Sequence, residues 1–133
     1  MLVKKTFLKE ERLCSKVLLS TLFTKGSSFL VYPYRFTWII ATMPQIMPAQ
    51  VVIGVSKKKF KKSVDRNLIK RKIKEAYRLN KSDLLYCDLE INQKKIIFSI
   101  NYIGKEILDF DTISSKLKNA LIMLTKQIFE AKP

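Results

Sequence analysis

From Lys57 to Arg78 the chain carries eleven basic residues: Lys57, Lys58, Lys59, Lys61, Lys62, Arg66, Lys70, Arg71, Lys72, Lys74 and Arg78. Asp65 and Glu75 oppose them, so the segment supplies nine of the fifteen net positive charges. Cationic side chains at this density neutralise phosphates and release their counterions. Arg can also grip a phosphate through two parallel hydrogen bonds, as Lys cannot. Other chemistries are closed. The chain has no histidine, which removes His-based general-base or nucleophilic catalysis and any Cys/His zinc site. Cys14 and Cys87 form no CxxC, and the acids are too scattered for a two-metal nuclease built from protein groups. The residues predict nucleic-acid binding.

A helix must present these charges. Ser63 suits an N-cap and Asp65 suits the positive end of a helix dipole. This predicts a helix over about 64–79, preceded by the basic loop Lys57–Lys62 and closed by Asn80-Lys81-Ser82-Asp83. At about 100° per residue, Asn67, Lys70, Arg71, Lys74 and Arg78 fall within an arc of about 100°. Val64, Leu68, Ile69, Ile73, Ala76 and Leu79 occupy much of the remainder, with Tyr77 at the border. A merely solvated face would need acidic i,i+4 partners on that arc, and the projection places none there. A basic helix could also enter a DNA major groove, but no helix-turn-helix pairing or heptad zipper stands beside it.

The rest of the chain reads as a scaffold for that helix. With 133 residues, 47% of them hydrophobic, it can bury the core of one domain, residues 1–133. Met1–Arg12 reads as an extended basic arm. Leu18, Leu19, Leu22 and Phe23 predict a short helix over 15–25, stopped by Gly26. Phe29–Thr42 reads as one strand, with Pro33 at an edge or bend. Pro44 and Pro48 mark a loop. Gln50–Ser56 reads as a second strand, expected to pair antiparallel with the first. Lys94–Ile103 is a third strand. A final helix is predicted after Asp111, with its apolar stripe at Ile113, Leu117, Leu121, Leu124 and Ile128. The class is α+β. No apolar run approaches the ~20 residues that span a bilayer. The free thiols and a charged N-terminus without an apolar signal core predict a cytoplasmic location and no membrane partner.

Gly54-Val55-Ser56-Lys57-Lys58 and Asp65-Arg66-Asn67-Leu68-Ile69-Lys70-Arg71-Lys72-Ile73-Lys74-Glu75-Ala76-Tyr77-Arg78 resemble the signature of the protein subunit of bacterial ribonuclease P. That family carries a V-S-K-K strand end and then an R-N-R-x-K-R-x-x-R-E-A-F-R helix. Arg66, Asn67, Lys70 and Arg71 match it outright. Leu68 stands where the family commonly has the third residue of its Arg-Asn-Arg motif, so one contact to RNA or metal is expected to be missing or supplied by Arg71. Glu11-Arg12-Leu13 and Leu19–Gly26 resemble the family's N-terminal pattern more weakly.

The resemblance implies a ribonucleoprotein endonuclease that removes the 5′ leader from precursor tRNA. Hydrolysis would belong to a catalytic RNA subunit with Mg²⁺ held mainly by RNA. The implied fold is an α/β sandwich with a central, mainly antiparallel sheet and a left-handed βαβ crossover. The implied partners are ribonuclease P RNA and precursor tRNA, with no small-molecule substrate and no catalytic residue in the protein. RNA binding is expected from Lys57, Lys58, Lys59, Lys61, Lys62, Arg66, Asn67, Lys70, Arg71, Lys74 and Arg78. A leader cleft is expected around Leu19, Phe23, Arg35, Thr37 and Ser56. Ordinary core packing competes with that role for Phe23 and Phe36. The competing function is a ribosomal-type RNA-binding or assembly protein with no part in cleavage.

Overall fold

Every residue from Ile96 to Ile100 is buried. A run with no face to give to water belongs at the centre of a sheet. The computed structural model, which describes residues 7–41 and 44–130, places it there. Strands β1 (Ser27–Val31), β2 (Tyr34–Ile40), β3 (Ala49–Val55) and β4 (Ile96–Tyr102) form one sheet in the order β1-β2-β4-β3. β1 with β2 and β2 with β4 are antiparallel, whereas β3 and β4 are parallel. Parallel neighbours need a long crossover. Here it comprises α2 (Ser63–Lys81), a π-helical turn (Ser82–Tyr86) and α3 (Cys87–Ile91). Helix α1 (Lys16–Lys25) precedes the sheet and α4 (Phe110–Glu130) follows it.

The two faces of the sheet are covered unequally. On one, Phe36, Phe98 and Ile100 pack with Ile69, Ile73 and Tyr77 of α2 and with Leu117, Leu121 and Leu124 of α4. All five members of the stripe expected for α4 are buried. Each such side chain contributes about 1.5–3 kcal/mol when fully removed from water. Trp38 Nε1 donates to Gln127 Oε1 at 3.0 Å, tying β2 to α4. On the other face α1 seals a smaller cluster around Leu13, Leu22 and Ile97. Helix α1 begins on Ser15, whose hydroxyl accepts from Leu18 N–H at 3.3 Å. It ends on Gly26, where a Cβ would meet the Leu22 carbonyl oxygen at 2.4 Å.

Several expectations are corrected. The single strand over 29–42 is a hairpin: Leu30 faces Arg35 across a turn at Tyr32-Pro33. Proline cannot donate to a ladder, so the chain reverses there. β2 and β3 do not pair; β4 lies between them because it alone is buried along almost its whole length. Ser63 is the first helical residue rather than the cap, which is Lys62. The stop expected at Asn80–Asp83 is a continuation, with Asn80 Nδ2 folded back onto the Ala76 carbonyl at 2.7 Å and the chain winding on through the π turn. Of the N-terminal arm, residues 1–6 lie outside the described residues. The remainder is docked, with one 3₁₀ turn at Lys9–Glu11 and a parallel bridge from Arg12 to Val51.

Candidate nucleic-acid interface

Helix α2 lies with Ile69, Ile73, Ala76 and Tyr77 in the core and turns Asn67 and Arg71 to solvent. Lys70, Lys74 and Arg78 are half-exposed beside them, so the projected cationic face exists. Lys57, Lys58, Lys59, Lys61 and Lys62 are exposed in the preceding loop. Val64, expected on the packed side, is exposed instead at 73%.

Several basic side chains of this segment have internal partners, among them Lys72, whose Nζ donates to the Leu108 carbonyl at 2.9 Å. Arg66 donates to the carbonyls of Phe60 at 2.8 Å and Lys61 at 2.9 Å, which closes the basic loop against the start of α2. Lys59 Nζ donates to the Ile103 carbonyl at 2.7 Å. Arg78 grips Glu75 through two bonds, Nε to Oε2 at 3.0 Å and a terminal nitrogen to Oε1 at 2.5 Å. This corrects the expectation that no acid reaches the arc. Glu75 sits just outside it, and two long side chains close the gap. The pair holds the Glu75 carboxyl below the usual range and raises the Arg78 guanidinium.

A second layer stands beside the helix. Arg12, Lys74 and Lys81 approach the face of the Phe7 ring at 5.6, 5.3 and 5.7 Å from its centroid. Beneath it Lys81 and Glu11 form an ion pair, and the Glu11 carboxylate also accepts from Tyr86 Oη at 2.6 Å. Both members are buried. Sequence spacing carries no sign of this pair.

The residues expected around the leader divide. Leu19 packs partly onto the α1 cluster, whereas Phe23 beside it is 56% exposed. Arg35 is exposed and faces Asn101 across the ladder. Thr37 is buried, and its hydroxyl is bonded to that of Ser28 at 2.9 Å. Ser56, half-exposed after β3, accepts from Lys58 N–H at 3.2 Å. Phe36 is wholly buried and belongs to the core. Among the described residues no cluster of three or more Cys, Asp or Glu could hold a metal, and no helix is long and apolar enough to cross a membrane.

A mixed sheet carrying one cationic crossover helix defines an α+β protein with a surface suited to a polyanion. The family model for Ribonuclease P matches residues 7–124, and the chain belongs to that family. As such it is the protein subunit of the ribonucleoprotein endonuclease that processes the 5′ ends of tRNA. The ribonuclease P protein component of Porphyromonas gingivalis is 32% identical over 120 residues, covering 90% of this chain and 87% of the relative. That of Petrotoga mobilis is 32% identical over 125 residues, covering 92% and 95%. The solved ribonuclease P protein of Thermotoga maritima superposes with a TM-score of 0.65 at 26% identity, covering 85% of this chain and 96% of that one.

Proposed function

We propose that the α2 face and the Lys57–Lys62 loop bind the ribonuclease P RNA. On this reading Asn67, Lys70, Arg71 and Lys74 meet phosphates directly, with Arg78 at the end of the stripe. The protein contributes charge neutralisation and substrate affinity, and the Mg²⁺ that supports hydrolysis is held mainly by RNA. The 5′ leader of precursor tRNA lies on the α1 side of the sheet, near Phe23, Arg35 and Ser56. The reaction takes place in the cytoplasm. The observation that carries the reading is a continuous cationic face opposed by one carboxylate, on a chain of this family.

Reconstitution tests it. The isolated chain should cleave nothing. Mixed with its RNA subunit at low Mg²⁺, it should restore cleavage of precursor tRNA. Absence of stimulation by the matched pair overturns the reading.

A further inference from the structure

A groove runs between residues 7–14 and α2, beside β3, with a volume of about 510 Å³. Its floor is apolar, made by Leu13, Val52 and Ile53. Its rims are cationic: Arg12 on the outer side, Lys70, Arg71 and Lys74 on the helix side. Phe7 brings Arg12 and Lys74 to one ring, although like charges repel. Among the described residues neither cation has a carboxylate partner.

This chemistry fits an unpaired nucleotide. A duplex keeps its bases inside and presents phosphates to a basic surface, which would leave the apolar floor unused. A single-stranded nucleotide offers a flat apolar ring with a phosphate on either side. We infer that the groove takes one unpaired nucleotide of the ribonuclease P RNA, with Arg12 and the α2 lysines on its two flanking phosphates, and that Glu11 positions the outer wall. The inference rests on the RNA-binding reading of α2, since Lys70 and Lys74 belong to both surfaces. That continuity is also why the nucleotide is assigned to the RNA subunit rather than to the leader.

Glu11 is built to hold that wall. Its carboxylate is wholly buried, accepts from Leu8 N–H at 2.5 Å and pairs with Lys81 at the end of α2. One residue further on, Arg12 bridges to Val51, and Leu13 N–H donates to the Val51 carbonyl at 2.9 Å. The segment is thus fixed at both the helix and the strand, with the exposed Arg12 between the two anchors.

The test is binding of the full chain to the ribonuclease P RNA it works with, measured across salt. Arg12→Ala should weaken binding several-fold and lower the salt slope by about one. Arg12 is exposed, so this variant keeps the fold, which a melting curve checks. Glu11→Gln should reproduce most of that loss, and adding Arg12→Ala to it should cost little more. Glu11→Gln and Arg71→Ala should instead combine additively, because they act on opposite walls. Val52→Trp, which fills the floor without changing charge, should weaken binding and leave the slope alone. If Glu11→Gln lowers only the melting temperature while Arg12→Ala keeps its full effect, the positioning role is overturned. If Arg12→Ala changes nothing while Arg71→Ala lowers both affinity and slope, the groove is overturned and the α2 reading stands. If neither variant changes binding, both fall.

Discussion

The Arg66 guanidinium donates to the Phe60 carbonyl at 2.8 Å, reaching back across the loop that begins the basic segment. The same nitrogen also reaches the Lys61 carbonyl. A residue that matches the family's Arg-Asn-Arg motif therefore shapes the loop whose lysines face solvent.

Arg66→Ala should lower stability by about 1–3 kcal/mol, because two carbonyls lose a charged donor. It should also weaken RNA binding by more than the loss of one surface charge, since the whole Lys57–Lys62 loop is released. Arg66→Lys should recover only part of this, as the shorter, freely rotating ammonium arm lacks the rigid planar group that aims one nitrogen at both carbonyls. Urea melts and salt-dependent affinity measure the two effects. Equal losses for Arg66→Ala and Lys57→Ala would show that the loop stands without Arg66.

Glu75 is the acid that subtracts from the cationic face. Glu75→Gln should tighten RNA binding at low salt, and the gain should fade as salt rises. The wild-type protein should show a related effect in acid. Arg78 holds the Glu75 carboxyl below its ordinary value, so the carboxylate persists as pH falls through the usual Glu range. Stability from the pair is present above the unfolded value and is lost only as pH drops through the lower, folded one. Affinity measured from neutral pH downward should therefore rise later than an ordinary glutamate would dictate, and Glu75→Gln should remove that rise.

Removing Glu11 takes away the carboxylate that pairs with the buried Lys81. Glu11→Ala should cost about 3–5 kcal/mol, whereas replacing both partners by apolar residues should cost much less. Chemical denaturation of Glu11→Ala and of the double variant Glu11→Leu, Lys81→Met compares them. Similar losses would show that packing, not pairing, holds the N-terminal segment.

Gly26 and Gly54 should differ. A Cβ on Gly26 meets backbone, the Leu22 carbonyl oxygen at 2.4 Å and the Trp38 carbonyl oxygen at 3.0 Å. On Gly54 it meets the end of a side chain, Asn101 Oδ1, at 2.7 Å. Gly26→Ala should therefore destabilise by about 1–3 kcal/mol, and Gly54→Ala by less, because an amide can rotate away. Thermal melts of the two variants decide it.

What the sequence reveals follows the range of each interaction. The cationic face and the α4 stripe are legible because both repeat along a single helix. The order of strands is not. Val51 and Phe98 become neighbours because β4 is paired along both of its edges, by β2 and by β3, a pairing no local window contains. Proline marked the Phe29–Thr42 region, but whether the chain bends or reverses there depends on what lies beyond the strand. In the candidate site, the charge of Arg66 is visible while its bonds to two backbone carbonyls are not. Glu11 and Lys81 stand seventy residues apart, and neither their types nor their spacing suggest that they meet.

The central position of β4 sets a timetable for synthesis. The cationic helix leaves the ribosome before the strand that completes its seat, so Ile69, Ile73 and Tyr77 have no finished floor until residues 96–102 emerge. Only the β1–β2 hairpin can zip up from neighbouring residues; both other pairings close through β4, over long stretches of chain. A nascent chain halted before Ile96 would therefore display its positive charge without the scaffold that gives it direction, and the final shape is settled by its last strand.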